Sequence, residues 1–74
     1  MPKLSPIKAI KLLKIFRSLG FAEIRQRGSH LILQNADGRE TVVPIHQGEE
    51  IGRGLLRKIL RDINLSPDQF NKLK

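Results

Sequence analysis

Seventy-four residues leave room for one small core, since a chain this short buries only about 60–65% of its unfolded surface. Leu, Ile, Val and Phe supply 25 of the 74 residues, above the disordered range, and 14 Lys and Arg against 7 Asp and Glu give a net charge of +7 that suits an anionic partner. The absence of cysteine excludes disulfides and thiolate sites and fits a reducing cytoplasm, no apolar run exceeds Leu31-Ile32-Leu33, and three Phe without Trp or Tyr argue against a base-stacking platform.

Lys3 and Lys8 stand near the start without the apolar run of a secretory signal. Ser5 suits an N-cap and Pro6 a first helical position, and Ala9, Leu12, Leu13, Phe16 and Leu19 recur at helical spacing. This pattern predicts an amphipathic helix over 6–19, ended by Gly20, with Lys11, Lys14 and Ser18 on its outer face. The period then changes. Phe21 to Arg27 and Leu31 to Asn35 read as strands joined through Gly28-Ser29. Asp37-Gly38 signals a hairpin into a third strand, Glu40 to Ile45. In the middle strand Leu31 and Leu33 share one face while His30, Ile32 and Gln34 share the other, so that second face carries more than solvated groups.

Residues 46–52 read as a loop, followed by a helix over 53–63. Leu55, Leu56, Ile59, Leu60 and Ile63 form its apolar stripe, and Arg53, Arg57 and Arg61, at i, i+4 and i+8, a basic ridge. Asn64 suits its end. Ser66-Pro67-Asp68-Gln69 then has the pattern of a capping box for a short terminal helical turn carrying Phe70 and Leu73. The order α-β-β-β-α, with helices segregated on one face of an antiparallel sheet, is an α+β solution, and residues 1–74 read as a single domain.

Little in the chain suits acid–base chemistry apart from His30 and His46, imidazole being the side chain best suited to moving a proton near neutral pH. If the second and third strands pair through Asp37-Gly38, both stand near one end of the sheet. Ser29 beside His30 is no hydrolase pair, because adjacent strand residues point to opposite faces. Glu49-Glu50 reads as a solvated loop pair, two histidines without helical spacing are too few for a metal centre, and Gly48, Gly52 and Gly54 precede no GK[ST] phosphate loop. The cations Lys8, Lys11, Lys14, Arg17, Arg25, Arg27, Arg53, Arg57 and Arg61 are spread over three elements and suit a phosphate backbone. Residue chemistry alone therefore stops at a small basic α+β domain suited to binding RNA.

One series of motifs is more specific. Arg25-Gln26-Arg27-Gly28-Ser29-His30-Leu31-Ile32, then Thr41-Val42-Val43-Pro44-Ile45-His46, then Glu50-Ile51 with Gly54 and Leu56-Arg57-Lys58-Ile59-Leu60, resembles the HicA toxin family, the YcfA-like mRNA interferases. The Leu-Gly-Phe that ends the first helix and the trailing Leu65-Ser66-Pro67 extend the resemblance over nearly the whole chain. It implies a double-stranded-RNA-binding-domain-like α-β-β-β-α fold and a toxin of a type II toxin–antitoxin system. It further implies an endoribonuclease that cleaves mRNA and is inhibited by a HicB-type antitoxin. The resemblance makes His30 the catalytic residue, with Gly28 forming the turn that presents it. Leu55 departs from the Thr often found there in the family, so any contact through that hydroxyl is missing.

RNA carries its own nucleophile in the 2′-hydroxyl, so no cofactor or metal is expected. A general acid or base and cations near the phosphate suffice. His30 suits the first role, and His46 is a candidate second proton-transfer group. Lys11, Arg25, Arg27, Ser29, Arg53, Arg57 and Arg61 are the candidate RNA-binding residues. The alternative is a basic RNA- or protein-binding module of the same fold without catalysis.

Overall fold

A computed structural model describes residues 3–45 and 50–74. The elements are β1 (Ile7–Lys8), α1 (Ala9–Ser18), β2 (Phe21–Arg27), β3 (His30–Asn35), β4 (Glu40–Pro44), β5 (Glu50–Ile51), α2 (Arg53–Asp62) and α3 (Pro67–Leu73). Strands β2, β3 and β4 form an antiparallel meander, and α1 and α2 pack on one of its faces, α1 against β2 and α2 against β4. This is the α+β order that the residue patterning predicts and the double-stranded-RNA-binding-domain-like topology that the resemblance implies.

The first helix begins later than its sequence suggests. Ile7 and Lys8 are extended and pair with Ile51 and Glu50, so Ser5 does not cap the helix and Pro6 does not open it. The N-cap is Lys8, with no side-chain bond. Ile7 and Ile51 are both buried in this two-stranded ladder, and the apolar area they remove from water outweighs one capping hydrogen bond. Glu50–Ile51 is accordingly strand rather than loop.

Apolar residues of the two helices meet those of the sheet. Leu12 and Phe16 of α1, Leu56 and Ile59 of α2, and Leu33 and Val43 of the sheet are sealed from solvent. Leu55, placed on the apolar stripe from its spacing, is instead 41% exposed at the margin of α2. Thr41, buried on the same side of the sheet, donates its hydroxyl to Asp62 Oδ2 at 3.2 Å, and Arg39 Nη1 donates to the Ile63 carbonyl at 2.8 Å. These two bonds stitch the start of β4 to the end of α2.

Both long helices end as their sequences require. At the end of α1, Gly20 takes a φ of 95° and donates its N–H to the Arg17 carbonyl, while Phe21 lies with its ring 5.5 Å from that of Phe16. A Cβ at Gly20 would stand 3.4 Å from the Asn35 amide nitrogen, which itself donates to the Leu19 carbonyl. Gly20→Ala is therefore expected to destabilise the fold by about 1–2 kcal/mol, read as a lower urea midpoint at unchanged slope. An unshifted midpoint would contradict the backbone argument.

At the end of α2, Asn64 has a φ of 58° and donates to the Arg61 carbonyl at 3.2 Å, and Leu65 N–H reaches the Leu60 carbonyl at 2.9 Å. This pair of bonds is a Schellman motif. The expected capping box follows. Ser66 Oγ accepts from Gln69 N–H at 3.1 Å, and Gln69 Oε1 accepts from Ser66 N–H at 3.0 Å. It starts α3, whose Phe70 is fully buried against the rest of the core.

Candidate nucleic-acid interface

Among the described residues no helix or strand packs on the face of the sheet opposite the helices, and the composition of that face follows from register. Directly opposed residues in an antiparallel pair project from the same face. Arg27 opposes His30, which opposes Pro44. One step inward, Arg25 opposes Ile32, which opposes Val42. Leu31 and Leu33, between these positions, are buried on the helical side. The open face therefore holds three rows, Arg27–His30–Pro44 at the edge, Arg25–Ile32–Val42 beside it and Ala22–Gln34–Glu40 beyond.

Strict alternation does not produce this arrangement. Counting by twos from the buried Phe21 would put Glu23, Arg25 and Arg27 together on the helical side. Only Glu23 is there, bonded to Arg17 of α1. The register shifts between Glu23, opposite Leu33, and Arg25, opposite Ile32. Ile24 is the extra residue of a β-bulge, 50% exposed, and it turns both arginines over to the histidine's face. Nothing in the local sequence marks this bulge, since neither glycine nor proline stands there.

The turn that introduces His30 is better marked. Arg27 and His30 close a two-residue loop in which Gly28 has a φ of 56° and Ser29 no positive φ, the pattern of a type II′ hairpin. No atom crowds a Cβ at Gly28, so its requirement is conformational. Ser29 is half-buried, and its carbonyl accepts the N–H of Ile45 at 2.6 Å, tying the end of β4 to this turn. His30 is exposed immediately after it.

The turn at the opposite end is held by side chains. Asn35 Oδ1 accepts from Asp37 N–H at 3.2 Å, and Asp37 Oδ1 from Arg39 N–H at 3.0 Å. The Arg39 backbone N–H, and after it the Arg39 guanidinium, hold the Asp37 carboxyl below its ordinary value. The carboxylate thereby serves the hairpin rather than the open face.

The structure divides the candidate RNA-binding residues. Arg25, Arg27 and the Gly28-Ser29 turn share the neighbourhood of His30. Arg53, Arg57 and Arg61 lie on α2, in the helical layer behind the sheet, and Arg57 and Arg61 border a groove toward α3. Lys11 stands on α1 beside a shallow recess with Lys8, Glu50 and Lys74. His46 lies outside the described residues.

An α+β layer pair whose open face presents a histidine between arginines and an apolar strip defines a small basic domain of double-stranded-RNA-binding-domain-like topology. No helix among the described residues is long and apolar enough to cross a membrane. A family model, HicA toxin of bacterial toxin-antitoxin, matches residues 10–65. The chain belongs to the HicA toxin family, and that membership implies an antitoxin partner. No curated protein matches the chain.

Proposed function

We propose that this toxin is an endoribonuclease that cleaves mRNA in the cytoplasm, residues 1–74 acting as one HicA-like domain, with His30 as general acid or base. The observation that carries the proposal is the row Arg27–His30–Pro44 on the face opposite the helices, with Arg25 in the next row. Opposed Cβ atoms in such a row are about 4.5–5.5 Å apart, so a guanidinium reaches a phosphate while the imidazole reaches the adjoining ribose. The 2′-hydroxyl attacks its own phosphate, and His30 takes the proton or delivers one to the departing 5′-oxygen. Arg25 and Arg27 stabilise the negative charge that develops on the phosphate oxygens. His46 remains the proposed second proton-transfer group.

In the same reading, a HicB-type antitoxin inhibits by covering this face. Ile32 and Val42 supply the apolar contact, and the arginines attract acidic groups on the partner.

Incubating the purified chain with single-stranded RNA and EDTA tests the catalytic proposal. Cleavage to products with 2′,3′-cyclic phosphate ends is expected, with RNA affinity falling steeply as salt rises. Binding without cleavage would replace the enzyme by a non-catalytic module. Cleavage only after a divalent cation is restored would overturn the metal-independent chemistry.

A further inference from the structure

The basic ridge on α2 is not simply an extension of the open face. Arg57 and Arg61 border a groove of about 580 Å³ between the second half of α2 and the start of α3. Its floor is apolar, formed by Leu60, Leu65 and Pro67, and Asn64 stands at its rim. The Schellman motif turns the chain back at the end of α2, with the Leu65 N–H bonded to the Leu60 carbonyl, and both leucines line the groove. Among the described residues no carboxylate lies in ion-pair contact with Arg57 or Arg61, whereas Lys58 is held by Asp62.

We propose that this groove is a second docking site, which takes an acidic protein segment that places one apolar side chain on the floor and carboxylates against Arg57 and Arg61. The inference rests on the protein partner implied by family membership and not on RNA cleavage. Charge selects an anionic occupant, and the floor selects a peptide. A phosphate backbone has no apolar group to place on Leu60, Leu65 and Pro67, and among the described residues no aromatic ring lines the groove to stack a base. Guanidinium groups suit carboxylates through paired N–H donors, and an apolar anchor ringed by such contacts is a common hot-spot arrangement. The site also explains a use for α3, whose residues lie beyond the matched range 10–65. An antitoxin reaching both this groove and the open face would hold the toxin by two linked contacts, which raises avidity without improving either one.

The test uses the full chain, labelled with ¹⁵N, and a short synthetic peptide of alternating Glu and Leu. A matching peptide of Gln and Leu and a single-stranded RNA homopolymer serve as controls. Saturable shifts at the Asn64, Leu65 and Gln69 amides with the Glu peptide are expected, and much weaker ones with the Gln peptide. The double variant Arg57→Glu, Arg61→Glu should lower Glu-peptide affinity by roughly tenfold or more, since like charges brought together across an interface repel. Three results would overturn the proposal. Glu-peptide shifts confined to the open sheet face would relocate the site, and equal binding of the Gln peptide would remove the role of the arginines. Stronger groove shifts with RNA, lost in the double variant, would make this a nucleic-acid surface. Because binding alone is read, a chain that fails to cut RNA leaves the outcome intact.

Discussion

Replacing His30 with alanine is expected to abolish RNA cleavage and growth arrest while leaving the chain folded. The imidazole is exposed at the first position of β3, and the core of Leu12, Phe16, Leu33, Leu56 and Ile59 lies on the other side of the sheet. The stability change should stay within about 1 kcal/mol, as for most substitutions outside a core. The turn itself depends on Gly28 and on the Ser29 carbonyl bond to Ile45, neither of which uses the imidazole. Loss of general acid–base catalysis is worth about 10²–10⁴ in rate. RNA binding should survive, because Arg25 and Arg27 are untouched. A single 2′-deoxyribose at the cut position should protect that bond in the parent for the same chemical reason. If the alanine variant, folded by circular dichroism, cuts RNA at the parent rate, His30 takes no part in the reaction.

Phe16→Ala should have the largest structural effect. Phe16 is fully buried, and its ring lies 5.5 Å from that of Phe21, so it joins α1 to the first strand of the meander. Truncating a buried phenylalanine costs about 3–5 kcal/mol. A domain of this size holds only about 4–11 kcal/mol in total. Much of the variant should therefore be unfolded at 37 °C, with a broadened or missing urea transition and the loss of both RNA binding and cleavage. A midpoint close to that of the parent would mean that the contact between α1 and the sheet is not where the fold's stability resides.

The contrast between these variants follows the division between what the sequence specifies locally and what only long-range packing specifies. Local chemistry identified the three meander strands, the Asp37-Gly38 hairpin, the Asn64 stop and the Ser66–Gln69 capping box, because each is specified within a few residues. Pairing across the chain was not readable. Ile7 finds Ile51 only in the folded molecule, and that contact displaced the start of α1 from Pro6 to Ala9. Leu55 has the right period for the core but lies just beyond its margin. Within the candidate interface, His30 and its turn were legible from Gly28, whereas the company of Arg25 and Arg27 was not, since it depends on a bulge with no residue signature. The arginines of α2 form a ridge in sequence, yet they belong to a different layer of the molecule.

The bulge makes the interface a matter of parity. Beyond Glu23 every β2 side chain faces one way or the other according to whether an odd or an even number of residues separates it from the anchor at Phe21, with one residue discounted at position 24. Ile24 is thus the residue that the ladder leaves out of the alternation, and many side chains would serve there equally well. A frame-preserving deletion of that single residue would leave Glu23 opposite Leu33 and Arg25 opposite Ile32 as regular neighbours, removing the bulge while keeping both arginines on the histidine's face. An extra residue at a paired position of β2, with no bulge to absorb it, would instead exchange the faces of the side chains beyond it, and substitution leaves this dependence invisible because no replacement changes the number of residues in the strand. The spacing of the strand is itself a functional element, and only a length change exposes it.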